Sequence, residues 1–494
     1  MKKVIAVDIG ASNGRLISVQ LEEHKLYTEE IHRFPNQPYE RNGYLFWDVN
    51  YFFREIKQGL KKFTSVEGNR LLGIGVDTWG VDVGFISRED ELVEDPYSYR
   101  NTHTAERMKE VHVQLSDKRL FERTGVESAS INTLYQLYDI FKQRPELLKE
   151  TGTILTMPSL VNFLLTGKKK NEFTHMSTTQ LMNWRSKGVD EEIISTVFQQ
   201  NHLPFAEIAA TNSVLGKTKL SVNQDVGMEA VSVINVPGHD TACALAAMPL
   251  QDDKTVFMSC GTWVLIGIEV EQPVVNEKAY KWGFTNEGTI NNSFRLQKNN
   301  MGLWLLQQCK KEWEAASEAI SYKEADLLIE KSVPFQTFID PDHHGFFNPD
   351  SMVKQIQEFC KDTGQYIPTT KGEILRCILE SLALKYRYII DGLEGIAEQG
   401  INSIHMAGGG IQNRRLCQFT ASATNRHVRT GPVEASAIGN ALAQFIALGE
   451  INDLEEARKV VAQSFEMNSY QPQNHADWNT AYKRFCALLT MEEE

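Results

Sequence analysis

The chain has 494 residues, more than one hydrophobic core accommodates, since single cores stop growing at roughly 250–300 residues. Hydrophobic residues make up 42% and charged residues 23%, a mix that excludes a disordered or fibrous protein. The net charge is −13 with no long basic run, which argues against a nucleic-acid partner. No apolar run approaches the roughly 18–20 residues of a membrane span, so no membrane partner is expected either.

Val4 to Ile9 reads as a first strand. Asp8 interrupts the opening apolar run too early for a signal peptide, which implies a cytoplasmic address. Gly10-Ala11-Ser12-Asn13-Gly14 forms a turn, Arg15 to Leu21 returns, and a third strand runs to about Phe34. A helix begins near Asp48, with Phe52, Ile56, Leu60 and Phe63 at helical spacing. Leu71 to Val76 is a buried strand leading into Asp77-Thr78-Trp79-Gly80-Val81-Asp82. The order is β-β-β-α-β. The stretch from about Arg100 to Asn212 reads as a helical insertion.

A similar series follows residue 250. Thr255 to Met258 is a strand, Ser259 to Thr262 a turn, and Trp263 to Val270 a return strand. A strand at Phe294-Arg295-Leu296 precedes an amphipathic helix expected over Met301 to Trp313. A long helix spans about Gly372 to Ile396, and the strand Ile404 to Ala407 runs into Gly408-Gly409-Gly410 and another helix. Two strand–Gly-turn–strand units about 250 residues apart predict an α/β fold with a duplicated core and a cleft between the copies. The boundary falls near Pro249 to Lys254. Seven scattered cysteines without Cys-x-x-Cys spacing read as reduced or buried thiols, and pairing of Cys360 with Cys377 stays open.

Three places carry the residue types of phosphate and hydroxyl chemistry. In Asp8 to Arg15, glycines with positive φ let successive amides converge on phosphate oxygens, and the Asp8 carboxylate at a strand end suits Mg²⁺, usually through water. The turn leads into a strand, which excludes a dinucleotide-binding fingerprint, and it carries no Gly-Lys-Ser/Thr. An ordinary Gly-rich hairpin would read the same way. In Pro237-Gly238-His239-Asp240-Thr241-Ala242, Asp240 sits where a helix begins. It is either an N-cap or a base able to take a proton from a hydroxyl, with His239 a candidate hydroxyl contact. In Asp77 to Asp82, Trp79 offers an apolar face to a ring and Gly80 allows close backbone approach, unless the tryptophan belongs to the core. In the second half, Thr262, the glycines at 408–410, Asn299 and Gln307 are candidate polar or backbone contacts to a nucleotide.

Val7 to Arg15, Ile31 to Phe34, Asn42-Gly43-Tyr44, Asp77 to Asp82, Asn132 to Leu137, His239 to Ala242, Met301-Gly302-Leu303-Trp304-Leu305-Leu306-Gln307 and Gly431 to Ser436 together resemble the FGGY carbohydrate kinases of the actin-like ATPase superfamily. The resemblance covers nearly the whole chain and is nearest to the branch that phosphorylates L-rhamnulose on its 1-hydroxyl. It implies two ribonuclease H-like domains. Residues 1–250 would bind sugar, covered by the insertion at about 100–212, and residues 251–494 would bind ATP. By matching position, Asp240 is the implied proton acceptor, and Gly80, His239, Asp240 and Thr241 bind the sugar. Ala11, Ser12, Asn13, Gly14 and Arg15 line the ATP phosphates, and Thr262, Asn299, Gln307 and Gly409 complete the nucleotide site. Mg²⁺ accompanies ATP, with Asp8 its carboxylate. The implied partners are a ketose and ATP, in a monomer or small homo-oligomer.

Two departures from the family pattern lie near the expected sugar pocket. Arg100-Asn101-Thr102-His103 replaces Arg-Asp-x-Arg, and Ser159 stands where relatives often carry aspartate. The competing readings are a kinase for L-fuculose or xylulose and a non-catalytic actin-like nucleotide switch. A sugar-responsive regulator would need a helix-turn-helix segment, for which the opening hairpin leaves no room.

Overall fold

The computed structural model describes residues 2–67 and 71–491. These form two compact units: unit 1 comprises Met1–Pro249, Glu269–Leu296 and Glu434–Phe465, and unit 2 comprises Leu250–Ile268, Gln297–Val433 and Glu466–Glu494.

Unit 1 is built on strands β1 (Lys2–Ile9), β2 (Asn13–Glu22), β3 (Lys25–Pro35), β4 (Leu71–Thr78), β5 (Ser213–Lys217) and β6 (Ser232–Asn235), in the order β5-β6-β4-β1-β2-β3. The meander β1-β2-β3 is antiparallel, whereas β4 and β6 join it in parallel. Helix α1 (Val49–Glu67) lies between β3 and β4 in sequence. Its Phe52, Ile56, Leu60 and Phe63 are all fully buried, in one core with Val7, Ile9, Leu16 and Phe34, as the helical spacing of these residues predicts. The segment 100–212 contains helices Thr104–Gln114, Asp117–Thr124 and Thr133–Gln143 over a second apolar core that includes Leu120, Leu134, Leu137 and Ile140, whereas its helix Met157–Thr166 packs into the first core through Met157, Leu160 and Val161.

Unit 2 repeats the plan. Strands β7 (Thr255–Cys260), β8 (Trp263–Val270), β10 (Phe294–Met301), β11 (Ser403–Ala407), β12 (His427–Thr430) and β13 (Asn468–Tyr470) lie in the order β10-β8-β7-β11-β12-β13. Again the hairpin β7-β8 is antiparallel, and β11 and β12 join in parallel. The short strand β9 (Thr285–Gly288) and the first residues of β10 belong to unit 1. The strand predicted at 294–296 runs on to Met301, so the helix expected from Met301 starts instead at Trp304, after Gly302 breaks the extended run. No helix among the described residues is long and apolar enough to cross a membrane, and all seven cysteines are free thiols.

Residues 434–465 join unit 1 because glycines clear a surface for them. Helix α2 (Asp240–Ala246) and a late helix (Ala435–Ala447, αC below) pack closely, and αC also lies on β1 and β4. A Cβ on Gly75 of β4 would come within 2.5 Å of Asn440 Oδ1, and one on Gly439 within 1.7 Å of the Cys243 carbonyl oxygen. Backbone therefore meets backbone where αC crosses α2, and Gln444 Nε2 donates to the Ile5 carbonyl at 2.9 Å. The contact sets the position of α2, whose first residue is Asp240. Gly439→Ala should cost at least about 1–3 kcal/mol by overpacking. Gly395→Ala, exposed in the helix Lys371–Ala397 with nothing within 4 Å of its added Cβ, should stabilise by about 0.5–1 kcal/mol. Chemical denaturation of both variants checks the contrast, and equal effects would refute the packing argument.

Candidate active site

Strand register brings acids together in unit 1. Asp8 of β1 lies beside Asp77 of β4, each one residue before its strand's end. Adjacent parallel strands present such residues on one face, at the carboxyl edge where α/β sheets bind ligands. From β6 the chain passes Pro237-Gly238 to His239, which bridges to Thr78, and Thr78 N–H donates to the Gly238 carbonyl at 2.9 Å. Asp240 follows at once.

The three carboxyl groups feel one another. Burial pushes Asp8 up, the Arg15 charge opposes it, and Asp240 and Glu434 push it further. Burial and the Asp8 charge hold Asp77 well above the usual carboxylate range, against the hydrogen bond from Asn440. Arg15 answers part of this charge: Nη2 donates to Asp8 Oδ2 at 2.6 Å and Nη1 to Glu434. Asn440 Nδ2 donates to Asp77 Oδ2 at 2.6 Å, while Asp77 Oδ1 is buried without a hydrogen-bond partner among the described residues.

Asp240 occupies the first turn of α2, but its side chain is not the cap; His239 holds the N-cap position and makes no side-chain cap bond either. Instead Asp240 Oδ1 accepts from Thr241 Oγ1 at 3.1 Å and lies 3.4 Å from His239 Nε2. The Asp240 side chain is 31% exposed, so a substrate can reach it. The loop before it is pinned by the buried Glu172, whose Oε2 accepts from Gly238 N–H at 2.8 Å and Thr174 Oγ1 at 2.6 Å. Thr174 Oγ1 in turn accepts from His239 N–H at 3.1 Å. Gly80 faces the same histidine: a Cβ there would lie 3.3 Å from His239 Nε2. Gly80, His239, Asp240 and Thr241 thus form one cluster.

Trp79 takes the core alternative. It is buried, 4.4 Å between ring centroids from Trp47, and edge-on to Phe52, so it offers no face to a ligand. Its Nε1 donates to Asp82, which also accepts from Trp47 Nε1, Gln136 Nε2 and, at 3.3 Å, Tyr99 N–H. Asp82 is therefore a structural hub. Between Gly80 and Asp82, Val81 adopts φ of 68°, a left-handed conformation strained for a β-branched residue. Hydrogen bonds with Thr178 and Thr133 hold it. The family departures are absorbed locally. Asn101 bonds the backbone of Leu45 and Ser98, His103 approaches Asp139 at 3.1 Å, and Ser159 pairs with Thr156 at 2.9 Å.

The first hairpin turn differs from expectation in how it uses glycine. Neither Gly10 nor Gly14 takes positive φ. Gly14 is required because the ring of Phe34, its cross-strand partner, occupies the space of a Cβ. The N–H groups of Ala11 and Ser12 have no protein acceptor among the described residues, so they are available to an anion. Asn13 Oδ1 accepts from Arg33, and Arg100 Nη2 donates to the Ala11 carbonyl at 3.0 Å. Among the described residues no three metal-ligating side chains converge. The donor chemistry nevertheless suits Mg²⁺, which favours hard carboxylate oxygens such as those of Asp8 and the unpartnered Asp77 Oδ1.

In unit 2, Gly302 lets its own loop close on the second hairpin, since a Cβ there would lie 2.8 Å from the carbonyl oxygens of Gly261 and Thr262. One turn into helix Trp304–Ala315, Gln307 accepts from Thr262 Oγ1 at 3.3 Å. Gly408, at φ 87°, and Gly410 press against Cys260, the residue before the same turn, while Gly409 between them has open space. Thr262, Gln307 and Gly409 therefore gather at the carboxyl end of β7. Asn299 is exposed on β10 and makes no side-chain contact with that group among the described residues.

Models of the FGGY family of carbohydrate kinases match this chain twice, the N-terminal domain over residues 3–247 and the C-terminal domain over residues 256–448. The chain belongs to the FGGY family of carbohydrate kinases. A rhamnulokinase of Halalkalibacterium halodurans is 41% identical over 471 residues, 95% of this chain and 99% of that protein. A rhamnulokinase of Bacteroides thetaiotaomicron is 37% identical over 480 residues, 97% of this chain and 98% of that one. Among solved structures, a ligand-bound xylulose kinase from Lactobacillus acidophilus aligns with TM-score 0.82 over 99% of this chain and 98% of that chain. At 14% identity, that likeness shows the fold alone.

Within this FGGY kinase, several residues around the acids carry no local sequence signal. Glu434, Asn440, Glu287 and Arg295 reach Arg15, Asp77 or His239 from distant segments. Asp77 has a signal in hindsight, because Val76-Asp77-Thr78 repeats the strand-end pattern Val7-Asp8-Ile9. The Asp82 hub yields a pH test. Burial, opposed by its donors, raises the carboxyl from 3.8 to about 6. A folded pKa above the unfolded one stabilises the fold fully below pH 3.8, and that contribution is lost as pH rises through 6. Asp82→Asn, which does not titrate, should therefore gain on the wild type by up to about 3 kcal/mol between pH of about 4 and 7. Urea unfolding across that range measures it; a pH-independent difference would count against the raised value.

Proposed function

We propose that this kinase transfers the γ-phosphoryl group of ATP to the 1-hydroxyl of L-rhamnulose, giving L-rhamnulose 1-phosphate and ADP in the cytoplasm. The observation that carries the reaction is the Asp240 carboxylate, reachable by substrate, held through Oδ1, and electrostatically coupled to the acids at the carboxyl ends of β1 and β4. The choice of sugar rests on the curated relatives, which are rhamnulokinases.

Asp240 accepts the hydroxyl proton as that oxygen bonds the γ-phosphorus and the bond to the β-phosphate oxygen breaks. His239, Thr241 and the backbone at Gly80 contact the sugar. The free N–H groups of Ala11 and Ser12, with Asn13, Gly14 and Arg15, line the phosphates. Thr262, Asn299, Gln307 and Gly409 contact the nucleotide. When bound, Mg²⁺ would neutralise phosphate charge, and Asp8 is the carboxylate that would hold it. Positioning and fixed electrostatics supply most of the acceleration.

Asp240→Asn should retain ATP binding and the fold while kcat falls about 100-fold to 10,000-fold; near-normal turnover would exclude Asp240 as the base. A panel of L-rhamnulose, L-fuculose and xylulose with coupled ADP detection tests the sugar. The expected outcome is the highest kcat/KM for L-rhamnulose, and a clear preference for another ketose overturns that assignment.

A further inference from the structure

Two buried charges of unit 1 stand behind His239. Arg295, fully buried on β10, donates through Nη1 to the Gly288 carbonyl at 2.7 Å. Its Nη2 donates both to the Glu287 carboxylate and to Nδ1 of His239. Glu287 Oε2 itself lies 3.3 Å from the same Nδ1. Burial raises the Glu287 carboxyl, and the adjacent Arg295 charge opposes it.

A guanidinium has donors and no acceptor. An Arg295 N–H pointed at Nδ1 therefore needs a lone pair there, which leaves the ring's proton on Nε2. That nitrogen is the one 3.4 Å from Asp240 Oδ1, and Thr241 donates to the same oxygen. The opposite tautomer would set an Nδ1–H against the Arg295 N–H, although it would suit Glu287. The Glu287 carboxylate instead offsets the buried Arg295 charge, without which the guanidinium would be costly to desolvate. Among the described residues Asp240 Oδ2 has no protein donor.

We propose that Arg295 and Glu287 are positioning residues: they hold His239 as the Nε2–H tautomer, so that its N–H faces Oδ1 of Asp240, which Thr241 also engages, and Oδ2 is left to take the substrate proton. This rests on Asp240 being the base of the proposed kinase reaction. Both residues are buried and neither is among the proposed sugar or nucleotide contacts. Their effect passes through His239, so it falls on the sugar and the chemical step and leaves ATP affinity alone.

The test combines a spectroscopic and a kinetic reading on the full chain. Histidine is labelled with ¹⁵N, and the His239 ring signals are assigned by comparison with His239→Gln. In the wild type, Nε2 should carry the proton and Nδ1 should not. Arg295→Met should move the proton to Nδ1, facing Glu287, and lower kcat about tenfold to a hundredfold with KM for ATP unchanged. Glu287→Gln, which keeps volume and removes charge, should lower kcat in the same direction if Arg295→Met does not fold. A wild-type ring protonated on Nδ1 in an active ketose kinase overturns the positioning role alone, as does unchanged kcat in both variants. An Nε2–H ring in a chain that phosphorylates no ketose overturns the kinase reading, and the positioning role with it.

Discussion

Unit 1 is organised around a repulsion. Asp8 and Asp77 lie side by side where two strands run out, almost wholly removed from water, and Asp240, following a third strand, adds its charge to theirs. Such a cluster persists only if opposing charge and hydrogen bonds are supplied from elsewhere. Arg15 supplies charge from the returning strand of the first hairpin, and Asn440 supplies a hydrogen bond from a helix more than three hundred residues away in sequence. Glycines at 75 and 439 make that distant help possible by letting the helix lie against backbone.

The two units share a sheet plan but not a chemistry. The positions of Asp8 and Asp77, paired across β1 and β4, correspond to Ser259 and Ala407, paired across β7 and β11. One copy carries charge at the carboxyl edge of its sheet; the other carries small neutral residues and a glycine run. Around the second hairpin, close packing of Gly302, Gly408 and Gly410 replaces the ion pairs of the first. A duplicated scaffold has thus been specialised at equivalent register positions, with the strands themselves left alone.

Much of this is legible in order along the chain. The β-β-β-α-β series, its repetition after residue 250 and the Asp240 helix follow from apolar period and turn residues, which are local properties. Gly80, His239, Asp240 and Thr241, which the family resemblance groups together, do meet in space. For Trp79 the local reading leaves core and ligand face open, since nothing in its neighbours reveals that Trp47 and Phe52 will enclose it. The glycines of the first turn suggest backbone freedom, whereas Gly14 makes room for a ring on the next strand.

By itself, then, the sequence determined which segments are strands and helices, where the plan repeats, and which short motifs hold chemically competent residues, because those depend on neighbours a few positions away. Only the tertiary structure decided which atoms of those residues are already engaged. The engagement of Arg15 with Glu434, of Asp77 with Asn440 and of His239 with Arg295 joins segments that local pattern cannot relate. Hydrogen bonds and buried charges are settled by which surfaces pack together, and that is a property of the whole unit.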